Sequence, residues 1–205
     1  VLKNQLVEWE ELYGTGKEEE TPALRFKGVI QRAYKKTGLP IVILVDEYDK
    51  PLLYTLDNPE LQDLYRMQLK SFYSVLKTMD GCIKFAFLTG VTKFSKVSIF
   101  RDLNNLDDIS MNSRYVTLCG LTEEEIRNNF DEPVKELAKA SGFSIKECYS
   151  KLKKQYDGYH FQKNTVGIYN PFSVIKTLKN LEFGNYWFET GTPTMLVQIM
   201  KACKF

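Results

Sequence analysis

Apolar residues along this chain recur in two rhythms. Leu2, Leu6, Trp9, Leu12 and Tyr13 fall on one side of a helix over residues 2–13. Phe26, Val29, Ile30, Ala33 and Tyr34 repeat that spacing between a start at Thr21-Pro22 and a stop at Gly38. Leu61, Leu64, Tyr65, Leu69, Phe72, Tyr73, Leu76 and Met79 do so again, from Asn58-Pro59 to Gly81. The second rhythm is continuous. Ile41–Val45 is apolar throughout and mostly β-branched, the pattern of a strand buried on both faces. "IKFAFLTG", from Ile83 to Thr89, predicts a second such strand. A strand, a helix and a strand in about 50 residues form a βαβ crossover, which places the two strands parallel.

"YVTLCG" predicts a third strand over 115–119, after a long polar segment of the kind that is functional or carries a short helix. Beyond Gly120 the strand pattern stops. Thr122 with Glu125, and Ser144 with Glu147, make capping boxes. Asn170-Pro171 starts a helix carrying Phe172, Ile175 and Leu178, and Thr192-Pro193 starts a last one. The expected organisation is an α/β core over 1–120 and a mainly helical lid over 121–205, with no internal repeat.

Composition narrows the function classes. With 205 residues, 43% hydrophobic, 26% charged and 13% aromatic, the chain suits one large domain or a domain with a small appendage. A net charge of +2 argues for neither nucleic acid nor an anionic membrane. Cys82, Cys119, Cys148 and Cys203 form no C-x-x-C pair and His160 is the single histidine, which excludes a structural zinc site. Scattered cysteines suit a reducing compartment, so a cytoplasmic location is expected. No apolar run approaches the roughly 20 residues of a membrane span. The chain opens on Val1 inside a helical pattern, as expected of a fragment whose beginning lies upstream.

The chemistry concentrates in "IVILVDEYDK", where a buried strand runs into Asp46, Glu47 and Asp49. Ligands of open parallel sheets bind beyond the carboxyl ends of the strands. A buried strand followed by Asp-Glu is the Walker B arrangement of P-loop NTPases. The first acid, Asp46, holds magnesium beside the nucleotide phosphates, and the second, Glu47, orients or deprotonates the attacking water. Thr89 ends the next strand, where related ATPases present a polar residue, sensor 1, to the γ-phosphate; Thr92 and Lys93 follow. An acidic turn and a turn threonine before Gly90 are the plainer readings. Asp49 is assigned nothing beyond a cap or a local pair with Lys50. A Walker A loop, G-x-x-x-x-G-K-[ST], is absent. The one Gly-Lys pair, Gly16-Lys17, has Glu11 and Glu18 where the pattern needs Gly and Ser or Thr, and it follows a helix rather than a strand.

"VILVDEYDKPLL", "KFAFLTGVTKFSKVSIFRDLNNLDDIS", "YDGYHF", "IYNPFSVI" and "FGNYWFETGTPT" resemble the AAA-ATPase-like family of bacterial proteins over essentially the whole chain. The resemblance implies a P-loop NTPase-like three-layer parallel sheet core without its P-loop strand, followed by a helical lid. It implies ATP and Mg²⁺ as cofactors, Asp46 as the metal's acid, and Glu47 and Thr89 in catalysis; no Walker A residue is carried over. It fixes no arginine finger, although Arg101 and Arg114 are candidates, and no sensor 2 arginine. Relatives often carry an upstream P-loop and a following nuclease-like domain of the PD-(D/E)XK type. The implied partners are a nucleotide, further copies in a homo-oligomer, or that nuclease-like domain; nucleic acid is unsupported by charge, and no membrane is expected. In such sheets the P-loop strand lies between the strand expected at 115–119 and that at 83–89, so its absence leaves a gap. His160 reads as structural and "NPF" as a helix start. "NNLDDIS" either lines the nucleotide site or is held by Asn and Asp side-chain bonds.

Two other function classes stand beside an ATP hydrolase. One is a non-catalytic, nucleotide-responsive switch or interaction module, with which the Lys-rich runs "KELAKASGFSIKECYSKLKK" and "KTLKN" are compatible, although solvated helix faces explain them. The other is a nucleic-acid-associated protein, since "DEYD" also matches a helicase motif; the other helicase motifs are not evident.

Overall fold

The computed structural model describes residues 2–91, 99–100, 105–159 and 165–186. The chain forms two compact units, residues 1–107 and 108–205.

The first unit opens with α1 (Leu2–Tyr13) and α2 (Pro22–Thr37). Thr21 caps α2 by accepting from Leu24 N, and Gly38, at φ 69°, ends it in the left-handed conformation. The two helices are tied by Arg25, whose guanidinium grips both oxygens of Glu10 at 2.7 and 2.6 Å. Trp9 stacks on Phe26, which stacks on Phe72 at 4.5 Å. The loop "GTGKEEE" is largely exposed, apart from Glu19, which is paired with Arg32.

The chain then runs through β1 (Ile41–Val45), α3 (Lys50–Leu53), α4 (Pro59–Tyr73), α5 (Val75–Thr78), a 3₁₀ turn at Asp80–Cys82 and β2 (Ile83–Leu88). The helix expected from Asn58 to Gly81 is interrupted at Ser74, whose hydroxyl bonds back to Ser71 O. β1 and β2 pair in parallel, with Val42 opposite Phe85 and Val45 opposite Leu88, as the crossover reading requires. One face of this sheet is covered: Ile43 is buried with Phe26, Ile30, Leu69, Phe72 and Leu76, and Ile41, Val45, Ala86 and Leu88 pack against that cluster. The described residues of this unit leave the other face open. Val42, Leu44 and Phe85 are 53%, 72% and 54% exposed. The expectation that Ile41–Val45 is buried on both faces is therefore corrected: helices cover one side of it among the described residues.

The strand expected at 115–119 does not form. Ser113–Tyr115 is a 3₁₀ turn, with Asn112 Oδ1 accepting from Arg114 N, and residues 116–119 continue as turns. β-branched residues favour a strand only when a neighbour offers a ladder, and none of the described residues offers one here. Among the described residues the parallel sheet is two-stranded, so the fold is mixed α/β with a small parallel sheet.

The second unit holds α6 (Glu123–Asn129), α7 (Asp131–Ser141), α8 (Ile145–Tyr156), β3 (Asp157–Tyr159), β4 (Ile168–Tyr169) and α9 (Pro171–Asn180). Both capping boxes form, at Thr122/Glu125 and Ser144/Glu147. Thr122→Ala is expected to lower the stability of this unit by about 1 kcal/mol in denaturant unfolding, because Glu125 N–H loses its acceptor; an unchanged midpoint contradicts it. Its core gathers Ile126, Val134, Leu137, Leu152, Tyr169 and Val174. The Tyr156 hydroxyl is a hub, donating to Gly184 O at 2.9 Å and accepting from Gly184 N and Thr177 Oγ1. The expectation that strands stop at Gly120 is corrected: β3 and β4 pair antiparallel. In "YDGYHF", Tyr156 ends α8 and Gly158 lies in β3. The helix expected from Thr192-Pro193 lies outside the described residues. No helix among the described residues is long and apolar enough to cross a membrane.

Ion pairing gives the second unit an acid-side dependence. Hydrogen bonds from Arg127 and Lys153 hold the Glu123 carboxyl below its ordinary value of 4.5, and the caps do the same for Glu125 and Glu147. Folded values below the unfolded ones contribute stability that is fully present above the unfolded pKa and lost as pH falls through the folded values. The helical circular dichroism signal should therefore weaken as pH is lowered from neutrality to below the ordinary carboxyl value of 4.5. A flat signal across that window contradicts the reading.

Candidate functional site

The carboxyl ends of β1 and β2 build one compact polar turn. Thr89 N donates to Val45 O at 2.8 Å, continuing the parallel ladder by one residue. A regular parallel ladder would next pair Glu47 N with Thr89 O. Instead Tyr48 N takes Thr89 O at 2.9 Å, so one extra residue stands on the β1 side. That residue is Glu47, at φ 50°, a conformation uncommon for a non-glycine residue. Its displaced N–H donates to Thr89 Oγ1 at 3.0 Å, and the same hydroxyl donates to Asp46 Oδ1 at 2.5 Å. One threonine side chain thus fixes the carboxylate of Asp46 and the main chain of Glu47. Bulged, strained residues of this kind gather at functional sites, where they re-aim a side chain.

The positive partner of this acidic string is local. Lys50 Nζ meets Glu47 Oε2 at 2.5 Å, and this hydrogen bond raises the pKa of the lysine. Both side chains are about half exposed, so water screens the pair. Asp49 behaves otherwise. It is fully buried, and its Oδ1 accepts from Val91 N at 2.9 Å. Lys50 pairs with Glu47 rather than with Asp49, and the Asp49 side chain caps no helix, which corrects the local role expected for it. Tyr48 packs behind the turn, 4.7 Å from Phe100 and edge-on to Tyr73. Burial, with Tyr48 and Asp49 nearby, pushes the Tyr73 phenol above its ordinary range. Gly90 is squeezed between these groups: a Cβ there would lie 2.6 Å from Tyr48 Cε1 and 3.2 Å from Asp49 Oδ1.

The structure thus brings Asp46, Glu47 and Thr89 together. Thr92, Lys93, Arg101 and His160 lie outside the described residues. Arg114 is exposed on its 3₁₀ turn. The part of "NNLDDIS" that is described is held by a side-chain bond, Ser110 N to Asp108 Oδ1. Among the described residues no three metal-ligating side chains converge. One exposed carboxylate, Asp46, fits magnesium better than zinc or calcium, because magnesium keeps most of its waters and takes its remaining oxygens from phosphates. The sequence showed neither the left-handed Glu47 nor the main-chain bond of Asp49. Asn or Gly would have signalled the first, and no residue type signals a main-chain N–H 42 positions away.

In the second unit a cleft of about 530 Å³ is lined by Glu123, Arg127, Lys146, Tyr149, Ser150 and Lys153 among others. Glu123 pairs with both Arg127 and Lys153, and Arg127 lies 4.0 Å over the Tyr149 ring. In the Lys-rich stretch, Lys153 is thus paired within the unit, and Lys135 likewise pairs with Asp131 and Glu132.

Residues 1–100 match the AAA-ATPase-like family, described as "Predicted AAA-ATPase". A protein of Azotobacter chroococcum mcd 1, named only as an uncharacterized protein in the vnfD 5′ region, is 43% identical over 176 residues. The match covers 86% of this chain and 32% of that relative, so the chain spans about a third of the relative's length. No solved structure matches.

Proposed function

With residues 1–100 placed in the AAA-ATPase-like family, we propose that this chain carries the carboxylate half of a magnesium-ATP hydrolysis site. The observation that carries the reading is the Thr89 hydroxyl, which joins Asp46 Oδ1 and Glu47 N at the carboxyl end of a parallel strand pair. In this reading Asp46 holds hydrated magnesium, which when bound draws charge from the phosphates. Glu47 orients the attacking water and accepts its proton, so it must leave Lys50 or share it. Thr89 keeps the Asp46 carboxylate and the Glu47 main chain in register and offers its hydroxyl towards the terminal phosphate. The 205 residues contain no Walker A loop, so the phosphate-binding half, and with it the three-layer core, comes from other polypeptide.

A second reading has its own support. Both proposed site carboxylates are engaged internally, Asp46 by Thr89 and Glu47 by Lys50, as in a protein that binds nucleotide to change shape rather than to turn it over. The experiment that separates the two is magnesium-dependent ATP hydrolysis by the full-length protein beside its Glu47→Gln variant. Tight nucleotide binding with no turnover in the parent favours the switch.

A further inference from the structure

Asp49 is the residue of the acidic string that the hydrolysis site leaves unused, and its environment is the most specific of the three. It stands at the residue before α3, where Asp ordinarily turns its carboxylate onto the helix's first free N–H groups. Here it makes no such bond, and its backbone is helical rather than extended, at φ −93° and ψ −5°. Only its main-chain carbonyl serves the helix, accepting from Leu52 N and Leu53 N. The side chain instead accepts from Val91 N, two residues beyond Thr89 on the neighbouring strand's exit. A fully buried carboxylate turned from a local helix towards a distant main-chain N–H does so against its local preference, so the tertiary contact decides its orientation.

The consequence is a two-point grip. Asp46 takes the side chain of Thr89, and Asp49, three residues on, takes the main chain of Val91. Between the two grips lies Gly90, whose missing side chain lets Tyr48 and the Asp49 carboxylate close over the turn. With the Val91 bond in place, the peptide after Thr89 cannot swing. The Thr89 hydroxyl then stays aimed at Asp46 and Glu47. Without it, that end of the strand is left with the ladder bonds and the side-chain bonds of Thr89 itself among the described residues.

We propose that Asp49 is a positioning residue, whose carboxylate clamps Val91 N–H and so fixes the Thr89 hydroxyl against Asp46 and Glu47. Its effect on turnover rests on the hydrolysis reading above; its effect on the turn does not. Asn keeps an oxygen that can accept from Val91, whereas Ala keeps none, so the two substitutions separate acceptor from bulk and charge.

The test uses the full-length protein with Asp49→Ala and Asp49→Asn. Asp49→Ala is expected to lower kcat by about 10- to 100-fold with little change in KM for ATP, because it misplaces groups that act at the reacting phosphate. Asp49→Asn is expected to recover most of kcat. Amide hydrogen exchange gives a readout that needs no ATP: Thr89 and Val91 should exchange faster in Asp49→Ala and near the parental rate in Asp49→Asn. That exchange result supports the clamp even in a protein that hydrolyses nothing, in which case the hydrolysis reading alone has failed. Parental exchange at both amides in Asp49→Ala overturns the clamp. So does an Asp49→Asn variant as fast-exchanging as the alanine, since the role would then belong to the charge. If Asp49→Ala does not fold, the asparagine variant decides by the same exchange measurement.

Discussion

Full-length protein carrying Glu47→Gln is expected to bind ATP as the parent does and to turn it over about 10²-fold or more slowly. Gln matches Glu in shape and tolerates the same φ of 50°, so the bulge and the Thr89 bond to its N–H should persist. What disappears is the capacity to take a proton from water. Asp46 is untouched, so magnesium and nucleotide should still bind. The same change removes the negative charge that faces Lys50, freeing that lysine. A freed cation near the phosphates would strengthen nucleotide binding rather than weaken it, which makes slow turnover with retained affinity the diagnostic pair. Single-turnover hydrolysis and equilibrium nucleotide binding measure the two. Parental turnover in Glu47→Gln removes Glu47 from the chemistry.

Gly90→Ala should cost stability and activity together. Its φ is not left-handed, so alanine meets no conformational barrier; the obstacle is space. The new methyl would stand 2.6 Å from Tyr48 Cε1 and 3.1 Å from Cζ. Tyr48 cannot swing aside, because it is buried against Phe100 and Tyr73. Overpacking of this kind costs about 1–3 kcal/mol, and the strand exit must move to relieve it. Moving that exit carries Thr89 off Asp46. Gly81→Ala is the matched control, since a Cβ there meets nothing within 4 Å. Thermal unfolding of both variants checks the claim; equal midpoints for Gly90→Ala and the parent defeat it.

Much of this architecture was legible because its signals are local. The apolar run Ile41–Val45 and a second one broken only by Lys84 gave β1 and β2, and the crossover length gave their parallel pairing. Thr21-Pro22, Asn58-Pro59 and Asn170-Pro171 each start a helix where the pairing of a capping side chain with a proline says they should. The misses have a common physical origin in partners distant along the chain. "YVTLC" has strand-forming residues but no neighbouring ladder among the described residues, and Asn112 caps the turn that forms there instead. β3 and β4, of three and two residues, are too short for any period and exist because they meet each other. The same holds at the site. Asp46, Glu47 and Thr89 were readable as residue types after apolar strands. The role of Asp49 was not, because it depends on the chain returning 42 residues later.

The side of the β1–β2 sheet that the described residues of its own unit leave open bears on how such a protein can be handled. Val42, Leu44 and Phe85 form a flat greasy platform, and Phe85 stacks with Phe87 along it. A platform like this, beside strands that could each accept another, is a template for self-association. For a preparation of these 205 residues, colloidal behaviour would therefore compete with folding as protein concentration rises. Turbidity and sample history, rather than nucleotide, would then set what a dilute assay reports. Biochemistry on the acidic turn belongs in a longer polypeptide, where that platform can find a cover.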